Sequence, residues 1–429
     1  MKFTAAGDLL VQRRMPAEYD GFKEIKSYIE KGDARFVNLE TTLNYEGECY
    51  ASQYSGGTYL RANPEILEYV KNYGFNMLSF ANNHTMDFSY EGLQKTLEHI
   101  RKFGIVNSGV GENLSRAAAP DYLETNKGRI ALISVTTSFN PAAMAGEQSR
   151  RVKGRPGVNG LRFDETIIVT KEQMNTIMKV AEETAVNAQR DIVRAEGYLL
   201  PVPDGCFDFG DIHFKVGEKA RRVTSINKTD MARIEKAIYE AKLQADYIIV
   251  SVHSHQIEGT SKENPASFLE DFAHKCIDNG VHAVIGHGPH LLRPIEIYKG
   301  KPIYYSLGDF ALQLENAAFA PEDFYATYGL TSNATMHELF KTRSNDFTRG
   351  LMTDKRMFET IIPYWEMEDG NLTKLELMPV ELGFEKPRSQ SGLARPATDL
   401  SFVKRLAEMS EPYGVKMKIK GGIVMCEWK

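Results

Sequence analysis

The sequence predicts an α/β fold built around parallel β-strands. Strand and helix patterns alternate over the first third of the chain, and the same alternation returns after Asp230. Several short apolar runs also end in a polar residue, at the point where a strand would stop. Strands that alternate with helices imply parallel βαβ units, and the carboxyl ends of such strands face a common crevice where ligands bind.

The N-terminal elements follow from apolar runs and helix-boundary residues. Asn63-Pro64 is typical of an N-cap followed by the first helical position, and Gly74 and Gly104 are typical of helix ends. The predicted strands are 2–7, 34–39, 75–81, 105–108 and 129–135, and the predicted helices are 20–31, 64–74 and 90–103.

The second part of the pattern predicts a helix at 231–244, a strand at 246–252, a helix after Asn264-Pro265 and a strand at 282–286. Two hairpins follow, one turning at Lys299-Gly300 and one joining 359–367 to 372–380 through Asp369-Gly370. A helix near 399–410 and a last pair of short strands complete the chain.

The segment 138–229 interrupts the alternation and reads as an insertion between core strands. It contains a basic, glycine-rich run at 150–162 and a helix predicted to extend unbroken from Thr170, in a capping box with Gln173, to Glu196. We expect this insertion to cover the crevice as a lid or substrate wall.

Composition narrows the functional classes. The chain has 429 residues, 42% of them hydrophobic and 25% charged, with a net charge of −5, which argues against a nucleic-acid partner. The four cysteines form no C-x-x-C pair, so a reducing compartment is the simpler interpretation. No signal peptide and no apolar stretch long enough to span a bilayer is visible, so we expect a cytoplasmic protein without an integral membrane segment.

Potential metal ligands stand at the ends of five apolar runs: Asp8, Glu40, Asn83, His253 and His287, with His290 close behind. Each residue alone could be an ordinary turn or cap residue, but capping does not readily explain all five. Carboxylate, amide and imidazole groups together suit one or two divalent ions, and Mn, Fe or Zn all accept such mixed ligands. Glu40 is the candidate bridge between two ions.

Six ordered motifs carry a resemblance to a known family: Gly7-Asp8, Asn38-Leu39-Glu40, the run 81–87 (Ala-Asn-Asn-His-Thr-Met-Asp), His253, the run 286–290 (Gly-His-Gly-Pro-His) and the run 305–310 (Tyr-Ser-Leu-Gly-Asp-Phe). They are similar to those of the CapA (poly-γ-glutamate capsule biosynthesis) family of the calcineurin-like metallophosphatase superfamily, over about residues 1–135 and 235–385. The resemblance implies a four-layer αββα sandwich with its metal site at strand ends. It also implies that His84 is a catalytic acid oriented by Asp87.

On this basis we expect a metallophosphatase-like domain at 1–385, including the insertion 138–229 and the C-terminal β-hairpin, with an extension at 386–429 packed on the same domain.

The sequence departs from the family pattern at several positions. Leu10 stands where the superfamily's first motif has a histidine, and Gly288 replaces a histidine of the family's His-His-Pro-His. His255 is an extra imidazole that could bind metal or contact substrate, and Asp309 replaces the asparagine of many members. CapA proteins commonly carry a membrane anchor, which this sequence does not show.

For substrate contacts the sequence offers arginines, which bind carboxylates or phosphates through two hydrogen bonds. The candidates are Arg61, Arg293 and one of Arg151, Arg155 and Arg162, with His255 beside them. Each of the arginines could instead be a solvated surface residue.

The predicted function is a metal-dependent hydrolase, in which metal-activated water attacks a phosphoester or amide bond of an acidic polymer or peptide-like substrate. One alternative is a peptide epimerase that uses the same crevice. Another is a non-catalytic accessory protein that binds polyglutamate during its synthesis. The sequence leaves open whether the protein forms a homodimer.

Overall fold

The computed structural model describes residues 1–16, 18–387 and 389–428. Its N-terminal part alternates strands and helices as predicted. The helices are α1 (Phe22–Ile29), α2 (Ile66–Asn72), α3 (Ser89–Phe103) and α4 (Leu114–Ala118). The strands are β1 (Lys2–Leu10), β2 (Ala34–Leu39), β3 (Thr42–Leu43), β4 (Arg61–Ala62), β5 (Met77–Ser79), β6 (Val106–Ser108), β7 (Val110–Gly111), β8 (Asp121–Thr125) and β9 (Gly128–Thr136).

The middle segment contains a small sheet besides its helices. Its strands are β10 (Gly157–Val158), β11 (Phe163–Val169), β12 (Cys206–Phe209), β13 (Ile212–Val216) and β14 (Arg221–Ile226), of which the last four pair in the order β12-β13-β11-β14. The predicted single helix from Thr170 to Glu196 is wrong. The structure has two helices, α5 (Lys171–Thr184) and α6 (Ala188–Ala195), because Ala185 ends the first in a left-handed conformation with φ 51°.

The second half of the alternation is confirmed, because the predicted apolar runs are the observed strands to within a residue. It comprises α7 (Lys228–Lys242), β15 (Tyr247–His253), α8 (Ser267–Asp278), β16 (Ala283–His287), β17 (Ile295–Tyr298), β18 (Lys301–Tyr304) and β19 (Asp309–Leu312).

The C-terminal part begins with two helices that the sequence patterns did not reveal and ends with strands that join the main sheet. Its elements are α9 (Glu322–Ala326), α10 (Met336–Arg343), β20 (Glu359–Glu368), β21 (Asn371–Glu381), β22 (Arg395–Pro396), α11 (Ser401–Ser410), β23 (Val415–Lys420) and β24 (Ile423–Trp428).

Two large sheets form the centre of the molecule. The first runs β23-β24-β21-β20-β1-β2-β5-β6, with β19 added beside β1 and β22 beside β21, and the second runs β17-β18-β16-β15-β9-β8. The predicted hairpin β20–β21 therefore lies within the first sheet, where β20 pairs antiparallel with the start of β1.

The layer order is helix, sheet, sheet, helix. Apolar residues from both sheets, including Phe3, Trp365 and Ile249, make the core between them. Side chains of α1, α2 and α3 pack on the outer face of the first sheet, and those of α7 and α8 pack on the outer face of the second. The molecule is thus a four-layer αββα sandwich. Among the described residues, none of the helices combines the length and apolar character needed to cross a bilayer.

Candidate metal centre

The carboxyl ends of strands from both sheets meet at one place. Asp8 lies in β1 and Glu40 directly follows β2, while His253 and His287 end β15 and β16 opposite each other. Asp309 begins β19 and pairs in register with Asp8. All five residues are fully buried. The predicted cluster at the strand ends therefore contains residues from both sheets.

The backbone at Asp8 depends on a close approach between two glycines. A Cβ atom at Gly7 would lie 1.8 Å from the carbonyl oxygen of Gly308, so no side chain fits there. The Asp8 amide donates a hydrogen bond of 3.1 Å to that same carbonyl. At this contact the pairing of β1 with both β2 and β19 is irregular. The contact therefore fixes the backbone position from which the Asp8 side chain extends.

Hydrogen bonds from two neighbours orient the Asp8 carboxylate. The Asn38 side-chain amide donates to Oδ1 at 2.7 Å, and the Gly288 backbone amide donates to Oδ2 at 2.8 Å. Burial by itself raises the pKa of Asp8, but the hydrogen bond and charge of His287, together with the charge of His290 and the Asn38 hydrogen bond, lower it overall. Asp8 is therefore held in the ionised form that a metal ligand requires.

Two histidines complete a first cluster with Asp8. His287 Nδ1 lies 3.3 Å and His253 Nδ1 lies 3.7 Å from Asp8 Oδ1, and the two Nδ1 atoms are 2.9 Å apart. The other nitrogen of His287, Nε2, is hydrogen-bonded to the Ser251 hydroxyl at 2.7 Å, which fixes the ring. Burial lowers the pKa of His253 well below its usual value, which keeps this ring neutral.

Glu40 forms a second cluster with His253 and His255. His253 Nε2 lies 3.7 Å from Glu40 Oε1 and 3.1 Å from His255 Nε2. Burial, followed by repulsion from Asp8 and Asp309, raises the pKa of Glu40 well above its usual value. Both oxygens of this buried carboxylate lack any hydrogen-bond donor among the described residues.

Asp8 and Glu40 also share a third cluster with His290 and Asp309. His290 Nδ1 is 2.9 Å from Asp309 Oδ1, and His290 adopts an unusual positive φ of 62°. Burial raises the pKa of Asp309 to about 6 although the His290 charge and hydrogen bond oppose this. Asp309 Oδ2 is another buried oxygen without a partner among the described residues.

These clusters fit a divalent metal. Within each of the three, the candidate ligand atoms lie within 4.8 Å of one another. The donors are imidazole nitrogens and carboxylate oxygens, the mixed set that Mn, Fe and Zn accept. Buried acceptors without donors are rare in folded proteins, and a missing ion is one of their recognised explanations.

The predicted acid–base pair lies beside these clusters. His84 Nδ1 is hydrogen-bonded to Asp87 Oδ2 at 2.7 Å, and His84 Nε2 lies 3.8 Å from Glu40 Oε1. Asp87 also accepts hydrogen bonds from the Gly56 and Leu60 amides, so it is anchored independently of the histidine. Asp87 thus fixes the orientation of the His84 ring while Nε2 faces the carboxylate cluster.

Asn83 and His255 line a cavity of about 630 Å³ next to the clusters. The Asn83 side-chain amide donates to the Gly56 carbonyl at 2.8 Å, and its Oδ1 is buried without a partner among the described residues. The other walls are formed by residues 52–56, Met86, Ser89, Tyr90, residues 138–140, 142–143 and Gln256. Apart from His255, the lining side chains are apolar or neutral polar.

The arginines predicted to contact substrate lie in different environments from one another. Arg293 is fully buried, and its guanidinium donates to the backbone carbonyls of Lys262, Ser254 and Gln256, so the prediction that it contacts substrate is wrong. It instead secures the loop that carries His255.

Arg61 donates to the Asn44 carbonyl and the Asn63 side chain and is not among the described lining of the 630 Å³ cavity. Arg155 donates to the Met144 carbonyl and lines an adjoining cavity of about 340 Å³.

Some site residues were missing from the predicted ligand set. The sequence did point to Asp309, because it places an extra negative charge in the Tyr-Ser-Leu-Gly-Asp-Phe motif. The sequence did not point to Ser251, because a serine within a strand does not reveal its hydrogen-bond partner until the neighbouring strand is known. The departure at Gly288 now has a physical reason. Its φ is 120°, and a Cβ there would lie 3.2 Å from His253 Nε2. Leu10 packs in the apolar core.

Known proteins resemble the chain over most of its length. The family model described as bacterial capsule synthesis protein PGA_cap matches residues 2–313. The uncharacterised protein y4sH of Sinorhizobium fredii is 31% identical over 97% of this chain and 90% of that protein. The capsule biosynthesis protein CapA of Bacillus anthracis is 24% identical over 72% of this chain and 59% of its own length.

A probable polyglutamine synthesis accessory protein of Mycobacterium tuberculosis, MT0602, is 26% identical over 65% of this chain and 55% of its own length. Among solved structures, a putative 5'-nucleotidase from Staphylococcus aureus in complex with alpha-ketoglutarate covers 88% of this chain and 54% of its own, with 11% identity and a TM-score of 0.38, a likeness too weak to carry an argument. The match over residues 2–313 is decisive, and the chain belongs to the bacterial capsule synthesis protein PGA_cap family.

Proposed function

We propose that the chain is a metal-dependent hydrolase that cleaves an amide or phosphoester bond. The observation that carries this proposal is the Glu40 carboxylate, which is buried among Asp8, Asp309 and His253 with neither oxygen hydrogen-bonded by a described residue. A cation bound there would lower the pKa of a bound water and neutralise developing charge. We assign Asp8, Glu40, His253, His287 and His290 as its ligands, with Asp309 and His255 as additional donors and Asn83 at the cavity edge.

His84 is the proposed acid. Its Nδ1 is fixed by Asp87, which leaves Nε2 as the atom that delivers a proton to the leaving group. Nε2 lies 3.8 Å from Glu40 Oε1, so it faces the carboxylates of the candidate metal site. Asp87 therefore sets both the direction and the tautomer of the acid.

The cavity favours an amide substrate over a polyanion. Its walls offer serine, glutamine, asparagine and tyrosine side chains, which hydrogen-bond peptide groups. His255 is the sole titratable base among the described lining residues, and burial lowers its pKa to about 3, so it is neutral near pH 7. A peptide-like segment with uncharged groups next to the reacting bond fits this lining.

Elemental analysis followed by an activity screen tests the proposal. Purified protein is stripped with chelator, reloaded with Mn²⁺, Fe²⁺ or Zn²⁺, and assayed against peptides, γ-glutamyl oligomers and p-nitrophenyl phosphate. We expect turnover only with metal, and a loss of at least about 100-fold in Asp8→Asn and His253→Ala. His282→Asn, a change outside the three clusters, is the matched control. Full activity of the stripped protein would eliminate the mechanism.

A peptide epimerase is the second candidate, and a specific feature favours it. Two buried histidine–aspartate pairs, His84–Asp87 at 2.7 Å and His290–Asp309 at 2.9 Å, accompany Glu40. Two such pairs would allow one group to remove an α-proton and another to return one. Incubation with peptides in D₂O separates the candidates, because epimerisation incorporates deuterium without cleavage.

A non-catalytic accessory role in polymer synthesis is a further candidate, supported by the description of MT0602 as a probable polyglutamine synthesis accessory protein. It predicts that the purified protein contains no metal and that His84→Ala leaves poly-γ-glutamate binding unchanged.

A further inference from the structure

A second cavity lies apart from the metal centre, in the C-terminal part of the molecule. It measures about 810 Å³, within the range of typical small-molecule sites. Its walls come from α10 and the residues after it, from the turn at 351–353 and from the loop at 384–391. None of the described residues that line it belongs to the three metal clusters.

Apolar side chains from two separate cores face this cavity. Phe347 packs against the small core formed around α9 and α10. Leu351, Met352 and Phe384 pack against the core beneath the first large sheet. All four are only partly buried, so the cavity exposes apolar surface that neither core covers. An apolar ligand body would remove this surface from water.

Positively charged side chains lie around the apolar part of the cavity. Arg343 donates to the Thr58 hydroxyl, whereas the side chains of Arg349 and Lys386 make no ion pair with a carboxylate of the described residues. The cavity is also lined by Glu315, Glu385 and His337. Among the described lining residues, the three cations therefore exceed the two carboxylates. The excess charge favours an anionic head group at the rim.

The backbone around the cavity is unusual. Asn345, Asp346 and Phe347 have φ values of 52°, 60° and 58°, and Glu385 on the opposite wall has φ 67°. Non-glycine residues in this conformation are uncommon and cluster where ligands are clamped. The two walls that carry these residues also carry Phe347 and Lys386, the apolar and cationic components of the cavity.

We propose that this cavity binds an amphiphilic anion, with an apolar chain or ring against Phe347, Leu351, Met352 and Phe384 and a carboxylate or phosphate head group at Arg349 and Lys386. The site is independent of the proposed hydrolase chemistry, because its lining shares no residue with the metal clusters.

Calorimetric titration of the full chain with decanoate, decyl phosphate and decanol tests the proposal. We expect both anions to bind at least tenfold more tightly than decanol, and the comparison of the two anions shows which head group is preferred. The double variant Arg349→Gln/Lys386→Gln should weaken the anions at least tenfold and leave decanol unchanged. Lys404→Gln, which removes an exposed lysine on α11, is the matched control.

A cavity-filling variant, Met352→Trp, should abolish binding of all three probes, and its metal content should equal that of the wild type if it is folded. Equal binding of decanol and decanoate by the wild type would overturn the proposal. Unchanged anion binding in the double variant would overturn it as well, even if Met352→Trp failed to fold.

Discussion

Two fully buried carboxylates, Asp230 and Glu40, show how differently the molecule treats the same chemical group. At the base of the middle segment, Asp230 accepts hydrogen bonds from the Arg162 amide and side chain and from Arg233. Burial raises its pKa, but these bonds outweigh burial and lower it. At the candidate metal centre, Glu40 has no such donors among the described residues, and burial raises its pKa.

The comparison distinguishes a buried carboxylate whose positively charged partners lie within the chain from one that has acids and histidines as neighbours. Asp230 has its counter-charges in the chain itself, so its burial anchors the segment 138–229 to α7. Glu40 is surrounded by other acids and by histidines and has no hydrogen-bond donor among the described residues, which is the arrangement expected of a cation ligand. A buried carboxylate without hydrogen-bond donors is therefore a better indicator of a ligand site than one that is paired with arginines.

Metal addition tests this contrast most strongly. At a Mn²⁺ concentration about 1,000 times its Kd, the free energy of unfolding should rise by about 4 kcal/mol, because the ion binds the folded state. Denaturant titrations with Mn²⁺ and with chelator measure this difference. Glu40→Gln should lose most of the gain and Asp230→Asn should keep it. Equal curves with and without metal in the wild type would show that Glu40 is not a ligand.

Removing the charge of Asp230 tests the structural side. Asp230→Asn should lower the free energy of unfolding by about 2 kcal/mol in chelator, since it weakens the charge-assisted hydrogen bonds from the half-exposed Arg162 and the more buried Arg233. Asp191→Asn is the control, because Asp191 is largely exposed and its ion pair with Arg194 should contribute less than about 1 kcal/mol. Similar losses in the two variants would contradict the anchoring role.

His282 shows what burial does where no metal is involved. Its Nδ1 accepts a hydrogen bond from the Ile248 amide, and burial lowers its pKa to about 4. The unfolded chain therefore binds a proton near pH 6.5 that the folded protein does not, so stability falls as the pH drops from 7 to 5.

His282→Asn keeps an acceptor but does not titrate, and it should reduce that loss by about 1.5 kcal/mol in denaturant titrations at the two pH values. An unchanged difference between pH 7 and pH 5 would mean that His282 is not held neutral.

The smallest expected effect concerns Glu40 without metal. Glu40→Gln should raise the free energy of unfolding in chelator by about 1 kcal/mol, because it removes the repulsion from Asp8 and Asp309. The measurement repeats the chelator titration used for Asp230→Asn. A loss of stability would mean that the carboxylate has partners within the protein.

The sequence predicted the core elements well where the signals were local. The strands at β2, β15 and β16 and the hairpin β20–β21 were recognised because apolar runs, caps and Asp-Gly turns depend on neighbouring residues. The break at Ala185 was missed, since nothing in the pattern from Thr170 to Glu196 opposes a continuous helix. The helices α9 and α10 were missed because their short apolar pattern packs on a core of its own.

The residues of the candidate site also differ in how far the sequence could assign them. Asp8, Glu40, His253 and His287 were predictable, because each ends an apolar run and parallel strand ends converge. Arg293 could not be assigned correctly, since an arginine in sequence does not reveal whether substrate or backbone carbonyls receive its hydrogen bonds.

By itself, the sequence determined which polar residues stand at strand ends, and therefore that a PGA_cap-type chain concentrates carboxylates and imidazoles in one place. Only the tertiary structure decided that candidate ligands from two different sheets meet, that Glu40 has no hydrogen-bond donor among the described residues and that Asp309 pairs with His290. The reason is physical: strand formation and capping are set within a few residues, whereas the packing of one sheet on another determines distances between atoms far apart in the chain.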